Sequence, residues 1–167
     1  MIEVRVEDLA FYSGNAIIRP ATATLGATTP LLRRLELAGG DALRDQLRVA
    51  EPLLVGSAVV TGAGALSVEL LVHAIVTSPT ERVTRDGVRR ALRSALERAR
   101  EWHIADVAIP PFGLGAGNLE IEQSAELLTD ELARHTRSSA FPRNVTLVAE
   151  TTDEASALEH ALARSVA

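Results

Sequence analysis

The stretch Val107-Ala108-Ile109-Pro110-Pro111-Phe112-Gly113-Leu114-Gly115-Ala116-Gly117-Asn118 runs from an apolar segment through a proline pair into three glycines at alternate positions. Ile104–Ile109 reads as a short strand, and Leu119 to about His135 as a helix. In that order, strand, glycine loop and helix can make an anion nest. The glycines permit positive φ and leave main-chain N–H groups uncovered. The helix that follows aims its own unsatisfied N–H groups and partial positive charge at the same point. Such a nest suits a phosphate or diphosphate; the competing reading is a tight turn that needs glycines and nothing more. A Rossmann fingerprint is not met. Asn118 stands where the third glycine belongs, and no second strand with an acid at its end follows.

Working outward, strands and helices alternate. Ile2–Val6 alternates apolar and polar residues as a strand does. Asn15–Arg19 is a short apolar run whose last residue is kept extended by Pro20. Leu31–Leu47 reads as a helix, with Leu32, Leu35, Ala42, Leu43 and Leu47 near one face and a break at Gly39-Gly40. Ser57–Thr61 and Val68–Val76 are β-rich and too closely joined for a crossover, so they pair antiparallel, with Gly62-Ala63-Gly64 as the corner. A helix begins at the N-cap Thr84 and carries Val88, Leu92, Ala95, Ala99 and Trp102 on one stripe. Val145–Ala149 is a further strand and Asp153–Val166 a closing helix. The pattern predicts a single α/β domain over residues 1–167, a mixed sheet with helices on both faces.

Composition narrows the chemistry. The chain has 167 residues, 47% hydrophobic and 23% charged, the balance of a soluble globule. It has no cysteine, which removes disulfides, thiolate nucleophiles and thiolate metal sites. All 17 basic residues are arginine, so neither a P-loop lysine nor a Schiff-base lysine exists. A net charge of −5 disfavours nucleic acid as the partner. No apolar run reaches the roughly 18–20 residues of a membrane span. The N-terminal residues lack a signal-peptide pattern, so the expected location is cytoplasmic.

Few side chains stand out. His73, His103, His135 and His160 have no metal-ligand spacing, and no metal or cofactor is expected. His73, inside an apolar strand, reads as a core histidine satisfied by hydrogen bonds, against a catalytic alternative. Asp41, Asp45, Glu97 and Glu101 read as solvated. Arg82, Arg85, Arg89, Arg93 and Arg100 form a stripe able to dock a polyanion, although Asp86, Glu97 and Glu101 dilute it toward an ordinary solvated face.

The ordered set Glu7-Asp8-Leu9, Asn15-Ala16-Ile17-Ile18, Val55-Gly56-Ser57-Ala58-Val59-Val60-Thr61-Gly62-Ala63-Gly64, Val72-His73-Ala74 and Ile109-Pro110-Pro111 with its glycine loop resembles the macrodomain family, ADP-ribose-binding and Appr-1-p processing-like. The resemblance covers about Ile2 to Arg164. It implies a three-layer α/β/α sandwich around a central mixed sheet. It also implies a cleft at the strand ends for ADP-ribose or a related NAD-derived nucleotide diphosphate. By the same resemblance Asp8 accepts from the adenine amino group and the Leu9 N–H meets the ring; the bare-residue alternative is that Asp8 caps a turn. Gly113, Leu114, Gly115, Ala116, Gly117 and Asn118 match the family's second phosphate loop.

Several positions depart from the family pattern. Arg19-Pro20-Ala21-Thr22 replaces Asn-Ala-Ala-Asn, so Thr22 stands where active members orient the distal ribose or a water. The first glycine loop aligns with Gly26-Ala27-Thr28-Thr29-Pro30-Leu31 and has lost most of its glycines. Gly117 occupies the place of a ribose-covering aromatic, and no aromatic near the last strand is placed to stack on adenine. Arg19 is expected either to grip a phosphate or carboxylate bidentately or to form an ordinary surface ion pair. Three functions remain open: ADP-ribose binding, hydrolysis of an ADP-ribosyl ester or O-acetyl-ADP-ribose, and a degenerate interaction module without ligand. A mono-ADP-ribosylated protein is an implied partner.

Overall fold

The computed structural model describes residues 1–115 and 119–165. Its strands are β1 (Ile2–Val6), β2 (Ala16–Thr22), β3 (Ala58–Gly62), β4 (Leu70–Thr77), β5 (Asp106–Ile109) and β6 (Asn144–Ala149). Its helices are α1 (Pro30–Gln46), α2 (Arg85–Glu101), α3 (Ile121–Thr136) and α4 (Thr152–Ser165), with a 3-10 turn at Leu9–Phe11. The sheet order is β1-β6-β5-β2-β4-β3. Among the described residues five strands are parallel, and β3 alone runs antiparallel, against β4. The mixed sheet and the antiparallel β3–β4 pair agree with the sequence reading.

Alternation along each strand sends neighbouring side chains to opposite faces. Ile17, Leu71, Ala108 and Val148 pack with Leu32, Leu35 and Leu43 of α1. Ile18, Val72, Val107 and Leu147 pack with α2, α3 and α4 through residues such as Leu92, Leu128 and Leu158. One helix therefore covers one face and three cover the other, giving three layers. Among the described residues, no helix is long and apolar enough to cross a membrane.

Two local details have direct causes. Helix α1 breaks at Gly40 (φ +69) because the β3–β4 corner docks there. Ala65 N–H donates to Gly39 O at 2.9 Å, and a Cβ on Gly64 would lie 2.5 Å from Gly39 O. Pro20 sits inside β2, yet β2 pairs with β5 only through Ala16 and Ile17. Beyond Ile17 that edge has no partner, so a residue without N–H is tolerated.

Two sequence expectations are corrected. Trp102 leaves the apolar stripe of α2: it is the C-cap residue and is 56% exposed. Helix α3 starts at Ile121, not Leu119, with Glu120 as its N-cap.

Candidate functional site

The strand order reverses between β2 and β5. The chain leaves β2 through α1 on one face and leaves β5 through α3 on the other. The two strands separate after two paired residues, so their carboxyl ends diverge. In open α/β sheets the crevice at such a reversal is where ligands bind. A cleft of about 460 Å³ lies there. The loop after β2 lines it with Thr22, Ala27 and Thr28, the loop after β5 with Gly113 and Leu114, and the segment after β4 with Ser78, Thr80 and Arg82.

The loop after β5 is held from below. Phe112 is fully buried, and its N–H donates to Ser124 Oγ of α3 at 2.8 Å. Leu119 N–H closes the loop on Gly113 O at 3.0 Å. Gly113 (φ +81) and Gly115 (φ +69) both adopt the left-handed region that glycine accepts without penalty. A Cβ on Gly115 would lie 3.7 Å from Thr29 Cγ2, so the two loops meet across the crevice. Ala116, Gly117 and Asn118, expected in the phosphate loop, lie outside the described residues.

The start of α3 differs from expectation in charge as well as position. Glu120 and Glu122 occupy its cap and first turn, and Glu120 N–H is taken by Gln123 Oε1 at 3.0 Å. These carboxylates offset the positive end of the helix dipole that was expected to face an anion. Any anion-binding capacity therefore rests on the loop amides and nearby cations.

The loop after β2 is braced by its own polar groups. Thr22 N–H donates to Gly26 O at 3.0 Å, and Gly26 N–H donates back to Thr22 Oγ1 at 2.9 Å. Leu25 sits at φ +62 within this turn. Thr29 caps α1 by accepting from Leu32 N–H at 3.3 Å. Pro30 takes the first helical position, where no intrahelical donor is required. Thr22 thus lines the cleft with a hydroxyl already accepting one bond.

Arg19 does not reach the cleft, and both sequence readings of it are corrected. Odd-numbered positions of β2 face α1, so its side chain points into the α1 layer and is wholly buried. It donates to His73 Nδ1 (2.8 Å), Glu36 Oε1 (2.7 Å) and Leu25 O (2.8 Å). It is a structural cation that pins the loop after β2 from beneath. Burial draws its guanidinium below the usual range, and Glu36 opposes that shift. His73 is a bonded core residue: burial, and then the Arg19 charge, hold its ring well below the ordinary value of 6.5.

Asp8 is exposed at the end of β1, three strands from β2, and its Oδ1 accepts from Ala10 N–H at 3.0 Å. It therefore caps the 3-10 turn while its second oxygen stays free of that bond. Leu9 is buried by its side chain against α1. The arginine stripe is largely neutralised: Arg93 grips the buried Glu131 through two bonds of 2.7 and 3.1 Å, Arg89 stands 3.7 Å from the same carboxylate, and Arg100 pairs with Glu97. Sequence reading grouped Arg82 with that stripe and missed its place in the cleft, along with Ser78 and Thr80. The available signal was positional: each follows the carboxyl end of a strand.

A family model described as Macro domain matches residues 29–128 of the chain. An uncharacterized protein of Aeropyrum pernix is 28% identical over 150 residues, 89% of this chain and 78% of its own length. An O-acetyl-ADP-ribose deacetylase of Salmonella gallinarum is 26% identical over 153 residues, 88% of this chain and 86% of its own. Among solved structures, an Oceanobacillus iheyensis macrodomain variant with ADPR superposes with a TM-score of 0.85 at 17% identity, covering 99% of this chain and 93% of that one.

Proposed function

The chain belongs to the Macro domain family, and from that premise we propose that it binds ADP-ribose or a related NAD-derived nucleotide diphosphate in the crevice at the strand ends. The observation that carries this reading is the approach of the two loops, Thr28-Thr29 against Gly115, over the point where β2 and β5 diverge. The diphosphate rests against the main chain of Gly113–Gly115, which serves as the phosphate-binding loop. Asp8 supplies an acceptor for the adenine amino group, an exchange that suits an acceptor-only carboxylate. From the end of β1 to the crevice over β2 and β4 is three to four strand spacings, roughly 14–19 Å at ~4.8 Å per strand. That span fits an extended nucleoside diphosphate sugar. On this reading a mono-ADP-ribosylated protein is a further partner.

Calorimetric titration of the full chain with ADP-ribose tests the reading. Saturable binding is expected that disappears in Gly115→Glu but persists in Gly115→Ala, which carries the same backbone strain at φ +69. Absence of binding to ADP-ribose and ADP overturns it in favour of an interaction module. The deacetylase relative favours a second reading, hydrolysis of O-acetyl-ADP-ribose. Acetate release over time from that ester separates turnover from binding alone.

A further inference from the structure

We propose that this chain pairs with a second copy of itself through α4, the two helices lying antiparallel about a two-fold axis. The surface is the outer face of α4 together with the groove it makes with the start of α3. That groove shares no lining residue with the cleft at the strand ends.

Helical geometry assembles the face. Asp153, Ser156, Ala157, His160 and Arg164 recur at three- and four-residue steps, so they form one stripe along α4. Asp153, Ser156, His160 and Arg164 are exposed. Ala155, Leu158 and Ala161 of the same helix are buried in the core. The stripe borders a groove of about 660 Å³, walled on its other side by Ile121 and Glu122 of α3.

Charge along this surface is segregated. Asp153 and Glu122 stand at its acidic end, in the first turns of α4 and α3; His160 and Arg164 lie toward the other end. Among the described residues none of these four forms an ion pair. Asp153 and Arg164 are separated by about 16 Å of helix at 1.5 Å per residue, so they cannot meet within one copy.

An antiparallel second copy brings them together in a single register. Opposing Asp153 to Arg164 of the second copy puts the two-fold axis between Leu158 and Glu159. The same register opposes His160, the largest side chain in the middle of the stripe, to Ala157 of the second copy, with Ser156 beside it. A large side chain then meets small ones, and Glu122 adds a second carboxylate near each incoming arginine. Every contact occurs twice, as an isologous two-fold interface requires. Parallel pairing would instead set like charges and like helix ends side by side. One helix face and its groove lie at the small end of specific interfaces, so the pair forms reversibly and depends on concentration. Both clefts stay open, and the inference is independent of the ligand reading above.

Sedimentation equilibrium of the full chain, from micromolar to millimolar concentration, tests it. The average mass is expected to rise from that of one chain toward two, and to fall back in molar salt. Asp153→Arg and Arg164→Asp each weaken association by about tenfold, since two like-charge contacts replace two opposite ones. An equimolar mixture of the two variants restores it, because each then meets its opposite charge. Ser156→Arg, at an exposed position clear of both helix ends, abolishes association without lowering the melting temperature. That variant keeps the test decisive if a charge reversal at a helix end unfolds the chain. A mass that stays that of one chain throughout overturns the proposal. So does association that survives Ser156→Arg, or a mixture of folded charge variants that associates no better than either alone.

Discussion

Arg19 and His73 stand directly opposite each other on β2 and β4. Arg19 Nε donates to His73 Nδ1 at 2.8 Å with neither residue reaching solvent. Since the arginine can only donate, Nδ1 must be the unprotonated nitrogen. The proton then sits on Nε2 and is given to Thr61 Oγ1 at 2.8 Å, and Thr61 donates onward to Gly62 O at 2.8 Å. One chain of donors thus runs from a buried guanidinium to the end of β3 and fixes the tautomer on the way.

The Arg19–Glu36 pair is asymmetric, because Arg19 is fully buried and Glu36 is 25% exposed at its side chain. Glu36→Ala leaves an uncompensated charge in the core and is expected to cost about 3–5 kcal/mol. Arg19→Met leaves only a carboxylate that can regain water. The double variant Arg19→Met with Glu36→Ala should therefore be more stable than Glu36→Ala alone, by denaturant midpoint. Equal midpoints would show that the buried charge is not the source of the loss.

His73 makes stability depend on pH in one direction. Its folded value lies below 6.5 through burial and the Arg19 charge, so the unfolded chain binds more protons. Its contribution is present above about pH 6.5 and is lost as pH falls below that value toward the folded one. Unfolding midpoints from pH 7.5 to 5 should decline, and His73→Gln should flatten the decline. The lowered carboxyl of Glu97 acts in the same direction but below about 4.5, outside this interval.

Gly113→Ala combines two costs. It forces φ +81 on an L-residue and places a Cβ 2.4 Å from Leu119 Cδ1. A loss of about 1–3 kcal/mol is expected from strain and overpacking. Adding Leu119→Ala should restore part of it in thermal melts, since only the clash is relieved. No recovery would place the whole cost in the backbone.

Ser124→Ala removes the acceptor of the buried Phe112 N–H. An unmade buried bond costs about 1–3 kcal/mol, and here the strain falls on the loop after β5. ADP-ribose affinity should weaken along with the melting temperature. Unchanged affinity at lowered stability would separate α3 from the site.

Much of the fold was legible because periodicity and end signals are local. Thr84 as cap of α2, the Gly39-Gly40 break and the antiparallel β3–β4 pair all follow from neighbouring residues. Arg19 was misread because an arginine beside a cleft motif looks exposed until the parity of β2 and the placement of Glu36 on α1 are known. The glycine loop was legible as a loop, but the Glu120 cap that offsets the α3 dipole depended on where that helix begins. Arg82 looked like part of a helical stripe, whereas its loop belongs to the carboxyl end of β4.

The sequence by itself determined the elements, their alternation and the family, since spacing, glycine and capping residues act within a few positions of one another. Tertiary structure alone decided which cations face solvent and which face the interior. That choice is set by the energy of moving a charge out of water, which depends on partners far apart in the chain: Glu36 and His73 for Arg19, and the lack of any described carboxylate beside Arg82.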